Sequence, residues 1–135
     1  MNYKLILNNM KYLSQYMEAK QTEALNRAGA FFAFSTKQFD EQKKTDTIYT
    51  NMYAGMICPK DTAQELDRAL TAIYHDSIAE DIADNGLNGI IRRELNNHEA
   101  YYTRDLKSTI DALKDYPNIT AEDIKEVFNN KHALI

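Results

Sequence analysis

Residues 47–58 read T-I-Y-T-N-M-Y-A-G-M-I-C and are closed by Pro59. The run is rich in Tyr, Ile, Thr and Met, side chains that suit a pleated, half-buried surface, and it predicts one or two strands. Gly55 inside it is no phosphate loop, because no G-x-x-x-x-G-K pattern surrounds it, and it reads as a bulge or a close backbone approach. The simplest partner is F-F-A-F at 31–34, too brief for an independent helix and read as a buried strand. Its phenylalanines are expected in the core, not as a base-stacking platform. Paired, the two runs form a small antiparallel sheet on which helices pack.

The flanking sequence is helical in pattern. Ile6, Met10, Leu13, Met17, Ala24 and Ala28 recur at helical spacing and predict a helix over 3–27, stopped by Gly29. Its polar face mixes Asn, Gln and Glu with Lys, which argues against a membrane-surface helix. Ser35 opens a short helix through a capping box with Gln38, and Phe34 is placed to staple onto Phe39. Asp61 with Gln64 predicts another box, and Leu66, Leu70, Ile73, Tyr74, Ile78 and Ile82 carry that helix to about residue 84, where Asn85-Gly86 ends it. Helix then resumes over 87–97 and again over 103–115, as one continuous or one broken element. Tyr116-Pro117-Asn118 is a turn, Thr120 with Asp123 caps the last helix, and Ile119 is placed to staple onto Ile124. The fold class expected is α+β and predominantly helical, with about four to six helices on a two- or three-stranded antiparallel sheet.

Length and composition set bounds. A chain of 135 residues predicts one domain, residues 1–135. With 44% apolar and 27% charged residues, and only four Gly and two Pro, the chain has the composition of a folded, helix-rich protein. Sixteen basic against twenty acidic residues leave a net charge of -4, which argues against a grip on phosphate backbones and so against a nucleic-acid partner. Arg92, Arg93, Arg104 and Lys107 are the one cluster that would serve such binding. The acidic runs, Asp76, Glu80, Asp81 and Asp84 in one place and Glu122, Asp123 and Glu126 in another, read as solvated helix faces. The lone Cys58 excludes an internal disulfide and reads as a small buried hydrophobe. No segment approaches the length of an apolar membrane span, no leader is recognisable, and a cytoplasmic protein is expected.

The chemistry-bearing residues concentrate in E-L-N-N-H-E-A-Y-Y-T-R-D at 94–105. On a continuous helix Glu94, His98 and Asp105 fall within a sector of roughly 40°, beside an apolar stripe of Leu95, Tyr102, Leu106, Ile110 and Leu113. A histidine between two carboxylates at a core edge is either a packing-fixing network or an acid/base or metal site, and the network is the better expectation. His98-Glu99 begins the zincin pattern H-E-x-x-H, but position 102 is Tyr, so a metal ligand is missing and no metal site is assigned. His75-Asp76 resembles paired ligands of HD-type phosphohydrolases without the further ligands those need, and reads as an exposed pair. No cofactor is expected.

The order and spacing of F-F-A-F-S-T-K-Q-F at 31–39, A-G-M-I-C-P-K at 54–60 and the 94–105 block carry a resemblance over most of the chain after residue 20. They resemble a family of small uncharacterised proteins of phages, mobile elements and gut bacteria, in which F-F-A-F-S-x-x-Q-F precedes L-x-N-H-E-x-x-x-T-x-D. The resemblance implies a phage or mobile-element setting and a meeting in space of blocks 31–38 and 97–105. It implies no activity.

Two functions follow from this sequence. The first is a non-enzymatic accessory protein that binds a host or phage protein, such as a defence or replication factor. Tyr49, Tyr53, Tyr101 and Tyr102 are its interface anchors, with Gln38, Asn97 and His98 as further binding candidates. Self-association is left open. The alternative is a small enzyme with His98 as acid/base or metal ligand, assisted by Glu94, Glu99 and Asp105.

Overall fold

The computed structural model describes residues 10–130. Its elements run α1 (Leu13–Ala28), β1 (Phe31–Phe32), α2 (Thr36–Gln42), β2 (Tyr49–Asn51), β3 (Met56–Pro59), a 3₁₀ turn (Lys60–Thr62), α3 (Ala63–Asn97), α4 (Ala100–Thr103), α5 (Lys107–Ala112) and α6 (Ala121–Asn129). This is a mostly helical α+β fold: among the described residues six helices accompany one three-stranded antiparallel sheet of order β1-β3-β2. The 47–58 run supplies two of the strands, with Thr50 opposite Cys58, and Phe31 pairs with Ile57 as the third strand. Contacts divide the chain into two compact units. One spans Ser14–Ser77, and the other joins residues 10–13 with residues 78–130.

In the sheet-bearing unit, Met56, Cys58 and Leu66 form the buried centre, and Ala24, Leu25, Ala28, Met52 and Leu70 pack around it. Cys58 is fully buried, as its sequence setting predicts. The F-F-A-F run departs from the expected buried strand. Ala33 is buried and Phe31 half-buried, whereas Phe32 and Phe34 lie exposed on the opposite face, which is the alternation a pleated strand imposes. Phe31 packs with Phe39 and Tyr49. Phe34 instead stacks beside Phe32, with ring centroids 6.3 Å apart, so the expected Phe34–Phe39 staple gives way to a surface pair. Ser35 caps α2 by accepting from the Gln38 N–H, and the Gln38 side chain reaches back to the Phe34 N–H, one residue beyond the expected box.

Three boundaries also moved. Among the described residues the first helix starts at Leu13, and residues 10–12 are not helical; the portion expected over residues 3–9 lies outside the described residues. Asp61 lies inside the 3₁₀ turn and caps nothing, while the Thr62 hydroxyl donates to the Ala28 carbonyl at 2.7 Å and fixes the entry to α3 against the end of α1. The helix expected to end at Asn85-Gly86 is interrupted there and resumes at once, with Gly86 at φ 71° and ψ 159°. That conformation is essentially restricted to glycine.

In the second unit, Ile78, Ile90, Ile91, Leu95, Leu113 and Ile124 are buried. The segment from 87 to 115 takes the broken form. Glu99 and Arg104 adopt left-handed backbone (φ 53° and 63°) on either side of α4. α6 carries the expected Thr120–Asp123 capping box in full.

Candidate functional site

The polar centre of the second unit is built around Arg93 and not around His98. Arg93 is 2% exposed, and its guanidinium donates to both carboxylate oxygens of Asp81 at 2.8 and 2.9 Å. Its Nε donates to Glu94 at 2.7 Å, and it also donates to the Lys11 carbonyl at 2.8 Å. The Tyr12 ring covers it, 5.7 Å from the guanidinium carbon. Asp81 takes two further bonds, from the Tyr116 hydroxyl at 2.5 Å and the Asn85 amide at 2.7 Å. Burial opposes the charge on Arg93, but the hydrogen bonds to Asp81 and Glu94 outweigh it and hold the guanidinium protonated above its ordinary range. Burial, with the bond to Asp81, likewise holds the Tyr116 phenol neutral well above the usual tyrosine range.

The geometry rests on Gly86. Asp81 and Arg93 stand twelve positions apart on α3, which in an uninterrupted helix would be about 18 Å of rise, beyond the reach of the two side chains. The break at Gly86 turns the two helical segments toward each other and lets the bidentate pair form. Asp81 is therefore fully buried and not on a solvated acidic face as its neighbours in sequence suggested. Arg93 is likewise withdrawn from the basic surface cluster. The one sequence signal that could have found the pair is the stripe Ser77, Asp81, Asn85 at i, i+4, i+8, three small polar residues of which the first two are fully buried.

The predicted trio is only half assembled. The Glu94 carboxylate, committed through one oxygen to Arg93, has its other oxygen 3.5 Å from His98 Nε2, and the imidazole is 29% exposed. Asp105 is elsewhere: with the helix broken, its carboxylate accepts from the Lys107 N–H at 2.9 Å at the start of α5. Glu99 and Asn97 are exposed at the break. Tyr101 stacks on Phe128, with centroids 5.1 Å apart, and burial raises its phenol above the usual range. Tyr102, expected in the apolar stripe, is 90% exposed, because the break rotates it off the α3 face. Gln38 is occupied at the α2 cap, in the sheet-bearing unit. Tyr49 is half-buried against Phe31 and Phe39, while Tyr53 is exposed with its hydroxyl bonded to Asp67, a bond that raises its phenol above the usual range.

Chemically, Asp81, Arg93 and Glu94 form a closed network. Each charge has a partner, and the arrangement fixes packing without presenting a reactive group. His75 and Asp76 are exposed on α3. Among the described residues no cluster of His, Cys, Asp or Glu is disposed to hold a metal ion, and no helix is long and apolar enough to cross a membrane.

A model of a family of unknown function, DUF7659, matches residues 13–134. The chain belongs to that family. The match spans all three sequence blocks singled out above and reaches both units of the fold, so the sheet and the side chains of Asp81, Arg93 and Glu94 fall alike within the DUF7659 region. No curated protein and no solved structure matches the chain.

Proposed function

We propose that this DUF7659 chain acts by binding another protein, through the aromatic face formed by Phe32, Phe34 and the turn between β2 and β3. The observation that carries the reading is Phe34, a large apolar side chain 73% exposed yet held in place. Its ring lies over Gly55, leaving no room there for an added Cβ, and it stacks against the half-exposed Phe32. Tyr53, exposed in the same turn, is anchored through Asp67. Grouped, exposed aromatic side chains are what interfaces use as anchors, and rings already fixed lose little freedom on binding. The enzyme alternative has less support, because Glu94 is committed to Arg93 and Asp105 to the Lys107 N–H at the start of α5.

The resemblance of the 31–39 and 94–105 blocks to phage and mobile-element proteins supports an accessory role there, with a host defence or replication factor as partner. Affinity purification from the host tests this with three baits: wild type, His98→Ala and the Phe32→Ser/Phe34→Ser pair. One protein recovered in stoichiometric amount by the first two and lost by a folded aromatic variant is the expected result. A partner that the aromatic variant retains, or recovery of none by wild type, would count against the reading.

A further inference from the structure

The groove between the second half of α3 and α6 has no part in the aromatic face. It is a cleft of about 300 Å³ whose apolar lining is Leu87, Ile91 and Val127, a size at the small end of ligand pockets. Arg92 and Glu126 line it too, and among the described residues neither is in an ion pair. Arg92 is half-buried, and its Nε is shielded from solvent with no hydrogen-bond acceptor. A buried guanidinium donor without an acceptor costs stability, so an acceptor supplied by a ligand would relieve that cost. Asp123, also in the lining, already accepts from the Thr120 N–H in the α6 capping box.

We propose that this groove binds a free α-amino acid with an aliphatic side chain. Its carboxylate supplies the acceptor that Arg92 lacks, through the strong charge-assisted geometry that guanidinium favours. Its ammonium group pairs with Glu126. Its side chain covers Leu87, Ile91 and Val127. A simple anion would leave Glu126 unmatched and be repelled by it, and an internal peptide segment brings neither charge.

Titration of ¹⁵N-labelled full-length protein with L-leucine, L-leucinamide and 4-methylpentanoate tests this by amide shift mapping. L-Leucine is expected to give saturable shifts confined to residues 87–92 and 118–130. The two analogues, each lacking one charge, are expected to bind about tenfold or more weakly, the loss of one charged hydrogen bond. Arg92→Gln should abolish leucine binding. Glu126→Gln alters an exposed side chain and should leave the fold intact; it should weaken leucine about tenfold while binding 4-methylpentanoate no less tightly than wild type, because the charge that repels this anion is gone. Absence of saturable shifts with leucine, equal affinity for all three compounds, or a folded Glu126→Gln protein that still prefers leucine over 4-methylpentanoate as strongly as wild type would each overturn the proposal.

Discussion

Arg93 and His98 are five positions apart, and the contrast between them is energetic. Arg93 is buried with its charge matched by Asp81 and Glu94, whereas His98 is 29% exposed and contacts an acid that already has a partner. Asp81→Ala is expected to cost about 3–5 kcal/mol, because it strands a buried guanidinium. His98→Ala is expected to cost less than about 1 kcal/mol, in the range of partly exposed ion pairs. Urea unfolding of both variants measures the difference; similar losses would move the centre of the network to His98. The block at 94–105 was legible as a polar concentration, and Glu94 was correctly placed at a core edge. Arg93 was not legible, since its adjoining residues do not distinguish it from Arg92, and its partner Asp81 lies twelve positions away across the break.

At the scale of elements, the chain places its breaks with a few residues of unusual backbone. Gly86 has no heavy atom within 4 Å of where a Cβ would stand, so the whole cost of a substitution there is conformational. Gly86→Ala should therefore destabilise the protein by about 1–3 kcal/mol despite the open space. If thermal unfolding finds no loss, the bend does not depend on φ 71°. Asp105 gives a second test of an element boundary. Because its carboxylate accepts from the Lys107 N–H at the start of α5, Asp105→Ala should cost about 1 kcal/mol, and the same loss should appear in any functional assay only through stability. Capping boxes were read well from sequence at Thr120 and partly at Ser35, because each is a local pattern of four residues. The Asp61 box failed because Thr62 finds a carbonyl in α1, a partner remote in the chain.

For the molecule as a whole, pH bears on the network through Tyr116. Its folded pKa is raised by burial and by Asp81, so its contribution to stability is fully present below the unfolded value of about 10 and is lost as pH rises beyond it. Unfolding free energies from denaturant titration are expected to be insensitive to this group under neutral conditions and to fall above about pH 10, by up to about 1.4 kcal/mol per pH unit. Tyr116→Phe should remove that part of the slope while lowering stability at neutral pH, since Asp81 loses a donor. A slope unchanged in the Phe variant would show that other groups govern alkaline unfolding.

The sequence by itself determined the fold class, the strand runs, the buried Cys58 and the cap of the last helix, because propensity, periodicity and capping act over a few residues. Only the tertiary structure decided that Phe32 and Phe34 face outward, that Asp81 is buried, and that Arg93, not His98, is the centre of the polar site. Those facts depend on which face of a two-sided strand meets the core, and on a helix bent at one glycine that brings together charges about three turns apart.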